Sequence, residues 1–358
     1  MPFLSVSFSN FRNLKESMVD ILAKEVFFVG ENGQGKTNLL ECLYISSYGS
    51  SFRTRFDTEI INKEKDNYFV RGFFRGENEK TDMISVQYSE NKKKILKNGK
   101  KITDRKELIN TVPCVLFSHD DLDFITGEPE RRRFFIDQSL SMYDILYIDT
   151  LRKYKKILKS RNIILKEEKY DMLDVYDESL IYEGREIVKK RNEAIYQFNR
   201  IFTPLYEEVT GIQQVKIKYD SQWYNKKSEE IFDILSKKRP SDKIMKTTLS
   251  GPHRDRISFV RENKPFVPTS STGQKRILSV LLRICQAVHY THMSQKKPVL
   301  LMDDVLLEID LKKREKITRL LPEYDQLFCT FLPDEPYEKY KKENTRIYNV
   351  VQGEFYEQ

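Results

Sequence analysis

Gly30-Glu31-Asn32-Gly33-Gln34-Gly35-Lys36-Thr37 is the stretch on which the reading of this chain turns. It has the spacing of a phosphate-binding loop: a glycine, four residues, a second glycine, then lysine and a hydroxyl residue. Val26-Phe27-Phe28-Val29 ahead of it is a short apolar run suited to a buried parallel strand. Asn38-Leu39-Leu40-Glu41-Cys42-Leu43-Tyr44-Ile45 behind it has helical apolar spacing. Strand, glycine-rich turn and helix, in that order, are what the chemistry requires. Glycines let successive backbone N–H groups face inward, and the helix N-terminus adds partial positive charge. Gly30, Glu31, Asn32, Gly33, Gln34 and Gly35 are therefore expected around the phosphates of a nucleotide, with Lys36 on the β- and γ-phosphates and Thr37 on Mg²⁺.

The chain has 358 residues, enough for two ordinary domains or one large domain carrying an insertion. Although 32% of residues are charged, 22 Phe and 20 Tyr can fill a core. A net charge of +8 and a pI near 9.0 point to acidic partners, nucleic acid before anionic membrane. There is no apolar run of the roughly 18 residues a membrane helix needs. Met1-Pro2-Phe3-Leu4-Ser5-Val6-Ser7-Phe8 alternates as a strand does and lacks the character of a signal peptide. Cys42, Cys114, Cys285 and Cys329 lie scattered in apolar stretches and are expected as buried, reduced thiols of a cytoplasmic protein.

A second half of the nucleotide site lies far along the chain. Ser271-Thr272-Gly273-Gln274 opens a long helical pattern, with Ser271 placed to cap it. Pro298-Val299-Leu300-Leu301-Met302-Asp303-Asp304 is an apolar strand ending in two carboxylates, the Walker B pattern. That strand is expected beside the phosphate-loop strand, so that Asp303 meets Mg²⁺ opposite Thr37. Asp304 is placed to polarise an attacking water as general base, and Lys36 to serve the same chemistry on the phosphates. Leu307-Glu308-Ile309-Asp310 and the apolar Phe328-Cys329-Thr330 follow. His289 and His292 share a helix face but lack a third ligand, so they are expected as surface residues.

The remaining segments define lobes. Residues 68–103 alternate as antiparallel strands, and Asn98-Gly99 signals a type I′ hairpin turn. Lys92, Lys93 and Lys94 flank it, and two readings stand: a solvated edge that resists aggregation, or contacts to a DNA backbone. Ser118 with Asp121 reads as a capping box. Arg131, Arg132 and Arg133 fall within one helical turn, so one is expected to pair internally, with Asp137, and the others to face DNA phosphates. From about 140 to 208 the pattern is that of two long helices, weakened at Gly184 and stopped at Pro204. Their tyrosine stripe reads as core and the lysines between as a solvated face. Residues 224–246 predict a surface helix and a loop, and Gly251-Pro252-His253-Arg254-Asp255 breaks the pattern before another strand.

These motifs together resemble the ABC-type ATPases of the SMC group, and within it the RecF family of bacterial recombination and replication repair proteins. The resemblance runs from end to end. It takes in Asn10-Phe11-Arg12-Asn13, the phosphate loop with Asn38, Ser51-Phe52-Arg53-Thr54, Gly127 with Pro129 and Arg132-Arg133, Arg161-Asn162, Gly251-Pro252-His253-Arg254-Asp255 and Asp303-Asp304. It implies an α/β fold: an ABC/SMC-type P-loop ATPase head with mixed sheets, formed by residues 1–118 and 249–358, and an inserted helical lobe over 119–248. It further implies ATP and Mg²⁺ as cofactors and slow, DNA-stimulated hydrolysis. ATP would join two copies of the chain, with Ser271, Gly273 and Gln274 of one facing the γ-phosphate held by the other. Binding at gapped DNA and single-strand–duplex junctions, and work with RecO and RecR in loading RecA, follow from the same resemblance. The chain departs from the family at Arg256, at Ser118-His119-Asp120-Asp121 and at Phe328-Cys329-Thr330-Phe331, which leaves Thr330 as the candidate switch residue. A reading of another class, a nucleotide-gated protein scaffold with incidental hydrolysis and DNA contact, stands beside this one. A kinase has no use for the Ser-x-Gly-Gln signature.

Overall fold

The computed structural model describes residues 3–76, 79–109, 111–306 and 309–358, so Leu307 and Glu308 lie outside the described residues. Strands β1 (Phe3–Ser9), β2 (Ser17–Asp20) and β3 (Glu25–Val29) lead into α1 (Lys36–Tyr48). Next come β4 (Tyr68–Arg75), β5 (Thr81–Ser89), β6 (Lys92–Lys97), β7 (Lys100–Lys101) and β8 (Cys114–Phe117). Helices α2 (Asp123–Thr126), α3 (Pro129–Ser141), α4 (Ile145–Lys166) and α5 (Leu173–Thr210) precede β9 (Val215–Asp220) and α6 (Ser228–Met245). Then follow β10 (Arg256–Arg261), β11 (Lys264–Pro265), α7 (Thr272–Ser294), β12 (Val299–Met302) and α8 (Leu311–Arg319). The last strands are β13 (Gln326–Phe331), β14 (Thr345–Val351) and β15 (Glu354–Glu357). Two compact units result: Met1–Asp120 with Tyr290–Arg314 and Leu321–Gln358, and Asp121–His289 with Glu315–Leu320.

In the first unit, β2-β1-β4-β5-β6-β7 form an antiparallel sheet. The second sheet has the order β15-β14-β3-β13-β12-β8, parallel except for β15. Helix α1 packs against β4 and β5 of one sheet and β13 and β8 of the other. That double burial explains why Leu39, Leu40, Leu43 and Ile45 are all withdrawn from water, and why every residue of β3 is buried. The Walker B strand β12 is not the neighbour of β3, as its sequence had suggested: β13 lies between them. Parallel strands joined by long crossovers need not take sheet places in chain order. At the β6–β7 hairpin, Asn98 and Gly99 both take positive φ, 50° and 80°, as a type I′ turn demands. All four cysteines are buried free thiols, and burial pushes that of Cys114 up to about 12. No helix among the described residues is long and apolar enough to cross a membrane.

In the second unit, α4 packs along α5, and β9, β10 and β11 form a small antiparallel sheet. The α5 helix does not stop at Pro204 but runs to Thr210. Tyr206 and Val209 are buried beyond the proline, and that packing outweighs the local cost of the missing N–H. Gly184 is where Trp223 presses on the helix: a Cβ there would lie 2.4 Å from Trp223 Cζ3. His289, expected at the surface, is buried, with Phe198 against its ring and Tyr143 Oη 3.0 Å from Nε2. The Asp121 carboxylate, read from the sequence only as part of a cap, also takes the Arg283 guanidinium at 2.7 Å. Arg161 is wholly buried and bonds Asp177 at 2.6 Å, Asp242 at 2.8 Å and Thr248 at 2.8 Å. Replacing it leaves buried carboxylates with less counter-charge. Arg161→Met is expected to lower stability by about 3–5 kcal/mol, read as a shift of the urea unfolding midpoint; an unchanged midpoint would contradict this account.

Candidate functional site

The site begins where β3 ends. The Gly35 backbone takes φ 118°, a conformation L side chains avoid, and this starts α1 directly at Lys36. Lys36 is buried, and its ammonium folds back on the loop, donating to the carbonyls of Gly30 at 2.6 Å and Glu31 at 3.1 Å. The Thr37 hydroxyl donates to Asp303 Oδ1 at 2.8 Å. Phosphate loop and Walker B pair thus meet although β13 separates their strands, and the end of β13 completes the cluster. Thr330 Oγ1 donates to Asp304 Oδ1 at 2.6 Å, accepts from the Asp304 N–H at 2.9 Å and lies 3.3 Å from Asp303 Oδ1.

Residues with no assigned chemistry in the sequence brace this loop. Asn13 donates to the Gly33 carbonyl at 2.8 Å and accepts from Asn38 at 2.6 Å. The turn between β14 and β15 reaches the loop's other side: Gln352 N–H donates to the Gln34 side chain at 2.6 Å and Gly353 N–H to its carbonyl at 2.9 Å. Arg53 donates to Asn38 at 2.7 Å. The motifs around Asn13 and Arg53 are visible in the sequence as short polar runs between apolar segments, while Gln352 and Gly353 carry no such signal.

Ser271, Gly273 and Gln274 open α7 in the second unit. Ser271 caps the helix as expected: its hydroxyl accepts from the Gln274 N–H at 3.2 Å, and the Gln274 side chain accepts from the Ser271 N–H at 2.8 Å. Among the basic candidates, Lys92 and Lys94 are exposed on the part of β6 that β7 leaves uncovered, and Lys93 pairs with Asp57 at 2.6 Å. Arg131 is exposed, 3.8 Å from the Asp123 carboxylate. Arg132 donates to the carbonyls of Ile125 and Gly127, and Arg133 to that of Asp255. The Asp137 partner expected for one of these arginines is taken by Arg191, at 2.8 and 2.9 Å, and by Tyr147. Arg191 is buried beside Asp137, whereas the three arginines sit on other faces of α3 or spend their donors on carbonyls.

The donor set fits magnesium and a polyphosphate. Thr37 and Asp303 offer a hydroxyl and a carboxylate oxygen side by side, the hard oxygen ligands Mg²⁺ takes. Burial pushes the Asp303 carboxyl up to about 6; the Asp304 charge adds to this, and the bonds from Thr37 and Thr330 work against it. A buried carboxyl that is costly to ionise is one a cation would relieve. Asp303 holds its proton more tightly folded than unfolded, so the stability it contributes is complete below about pH 4 and lost as pH rises through about 6. Asp303→Asn is expected to melt higher than the parent near pH 8 without nucleotide, and at the parent's temperature near pH 4. Differential scanning calorimetry across pH reads this directly, and a gap of the same size at both ends would refute it.

The family description "RecF/RecN/SMC N terminal domain" matches residues 4–355. The chain is 49% identical over 350 residues to the DNA replication and repair protein RecF of Treponema pallidum, covering 97% of this chain and 99% of that one. It is 32% identical to RecF of Leptospira interrogans serogroup Icterohaemorrhagiae serovar Lai over 357 residues, 97% of each chain. Among solved structures, the recombination mediator protein RecF-ATP in the RecFOR pathway superposes with a TM-score of 0.89 at 28% identity, covering 99% of this chain and 97% of that one. An SmcHead bound to the C-winged helix domain of ScpA shares the fold, with a TM-score of 0.60 at 14% identity over 99% of this chain and 96% of that one. End-to-end identity, the family match and the shared fold agree: the chain belongs to the RecF family of DNA replication and repair proteins.

Proposed function

We propose that this chain is an ATP-dependent DNA-binding protein of recombinational repair and replication, in which ATP joins two copies and slow hydrolysis releases them. The observation that carries this is the cluster of Lys36, Thr37, Asp303, Asp304 and Thr330 around one phosphate loop. Solved relatives described as RecF-ATP and RecF-ATPrS support ATP as the nucleotide. In this reading the loop N–H groups from Gly30 to Gly35 hold phosphate oxygens, and Lys36 exchanges its two carbonyl partners for the β- and γ-phosphates. Thr37 and Asp303 hold Mg²⁺, which screens phosphate charge when bound. Asp304 accepts the proton of the attacking water, and Thr330 keeps that carboxylate oriented. Ser271, Gly273 and Gln274 act on the partner copy's nucleotide: a capped helix N-terminus supplies donors to an anion.

The functional division we propose is an ATPase head of residues 1–118 and 249–358 and a helical lobe of 119–248, working in the cytoplasm. Gapped DNA and single-strand–duplex junctions are the proposed substrates, with Lys92, Lys93, Lys94, Arg131, Arg132 and Arg133 as candidate contacts. RecO and RecR are the proposed partners in loading RecA. The test is the mass in solution by light scattering, with and without ATP and Mg²⁺. The parent is expected to dimerise only with ATP, and Lys36→Ala to stay monomeric; undiminished dimerisation of that variant would overturn the reading. Asp304→Asn is expected to dimerise with ATP but to hydrolyse it roughly a hundredfold or more slowly, measured as phosphate release, and turnover at the parent rate would remove Asp304 from the role of base.

A further inference from the structure

We propose that the outer face of the β9–β10–β11 sheet, with the cleft beside Gly251-Pro252-His253-Arg254-Asp255, binds the phosphodiester backbone of DNA. This rests on the DNA-binding reading above and gives it a surface. Alternation along β9 sends Val215 and Ile217 inward and leaves Lys216 and Lys218 in water. The register sets Ser258 opposite Lys218 and Arg256 opposite Asp220, so Arg256 shares the lysines' face. Side chains on one face of a strand recur roughly every 7 Å, close to the interval between successive phosphates along an extended polynucleotide. Lys216 and Lys218, with Arg256 across from Asp220, spread cations along this face, which suits a repeating anion better than a single phosphate.

Arg254 lines the adjoining cleft, a space of about 770 Å³ shared with Tyr219, Asp220, Tyr224, Gly251 and Arg256 among others. Its Nε donates to the Thr248 carbonyl at 3.2 Å, and the side chain is exposed. Among the described residues, Arg254 and Arg256 are exposed and have no carboxylate partner. The two acids lining the cleft are engaged already. Asp220 pairs with Lys218 at 2.8 Å, and buried Asp255 accepts from the Tyr219 hydroxyl with Arg191 3.9 Å away. The charge left facing water is positive. Tyr224, partly exposed on the same cleft, offers a flat face for a base.

The segment carrying Arg254 is held rigidly from behind. Arg191 donates to the Pro252 carbonyl at 2.7 Å and Arg133 to that of Asp255 at 2.9 Å. His253 lies between Tyr154 Oη, 2.6 Å from Nδ1, and the Thr248 carbonyl, 3.0 Å from Nε2. A carbonyl only accepts, so Nε2 carries the proton and Nδ1 accepts from the tyrosine. Burial pulls His253 down to about 4, so the ring stays neutral and the clamp holds across physiological pH. An arginine presented on so fixed a backbone loses less freedom on binding.

The test is an Arg254→Gln/Arg256→Gln double variant of the full chain, compared with the parent by fluorescence anisotropy. The probes are labelled single-stranded DNA and gapped duplex, over a series of salt concentrations. The expected result is a tenfold or greater loss of affinity at low salt and a shallower dependence of log affinity on log salt. Two lost phosphate contacts flatten that slope by roughly 1.5, whereas ATP binding and melting temperature stay at parent values. The Arg254→Lys/Arg256→Lys variant is expected to restore the slope. If the parent itself binds no DNA, the DNA-binding reading fails. If the parent binds and the Gln variant keeps its affinity and slope, this surface is not the site. Weaker binding with an unchanged slope would also overturn the inference, because it would mark a general structural effect.

Discussion

A carboxylate with no access to water lies one turn inside the helix that follows the phosphate loop. Glu41 is clamped by Arg12 at 2.8 Å and approached by Arg53 at 3.4 Å, and Ser51 donates to it as well. A charge so placed is tolerable only with those partners, because desolvation costs several kcal/mol per ion. The clamp therefore forces three segments to one place: the turn after β1, the start of α1 and the loop after α1. Asn13 and Arg53, the residues that reach the loop and Asn38, are delivered by the same segments. The proposed nucleotide site is braced by residues that this buried cluster holds in place.

Much of this was legible in the sequence because it is local. Strand, loop and helix around Gly30–Thr37, the Asn98-Gly99 turn and the Ser271–Gln274 cap each depend on residues within a few positions of one another. What stayed hidden is set by distant packing. Sheet order placed β13 between β3 and β12, and only that order makes Thr330 a partner of both Walker B carboxylates. Pro204 looked like a stop until Tyr206 and Val209 found a core. His289, expected at the surface for want of a third metal ligand, is core because Phe198 lies against it. In both cases tertiary packing decided what the local pattern could not.

The two units use buried charge differently. In the first, Glu41 orders loops around a site. In the second, Arg161 and Arg191 lie among the helices and bond side chains and carbonyls from several segments, Arg161 reaching Thr248 and Arg191 the Pro252 carbonyl. Hydrophobic contact alone is indifferent to such detail, since it is roughly proportional to area and non-directional. Bidentate guanidinium bonds are directional, and they fix the angle at which a loop leaves the bundle.

The bracing of Gln34 by Gln352 spans 318 positions of sequence. During synthesis the phosphate loop leaves the ribosome early, yet its carboxylates, its threonine and its brace all come from the far end of the chain. The parallel sheet that carries the loop waits as well, because β13 and β14, the neighbours of β3, are late arrivals. Chains with such non-local pairing close slowly and expose apolar strand edges in the meantime. A chain cut short before the last strands would lack these partners of the loop, so the proposed nucleotide site is completed in one late step.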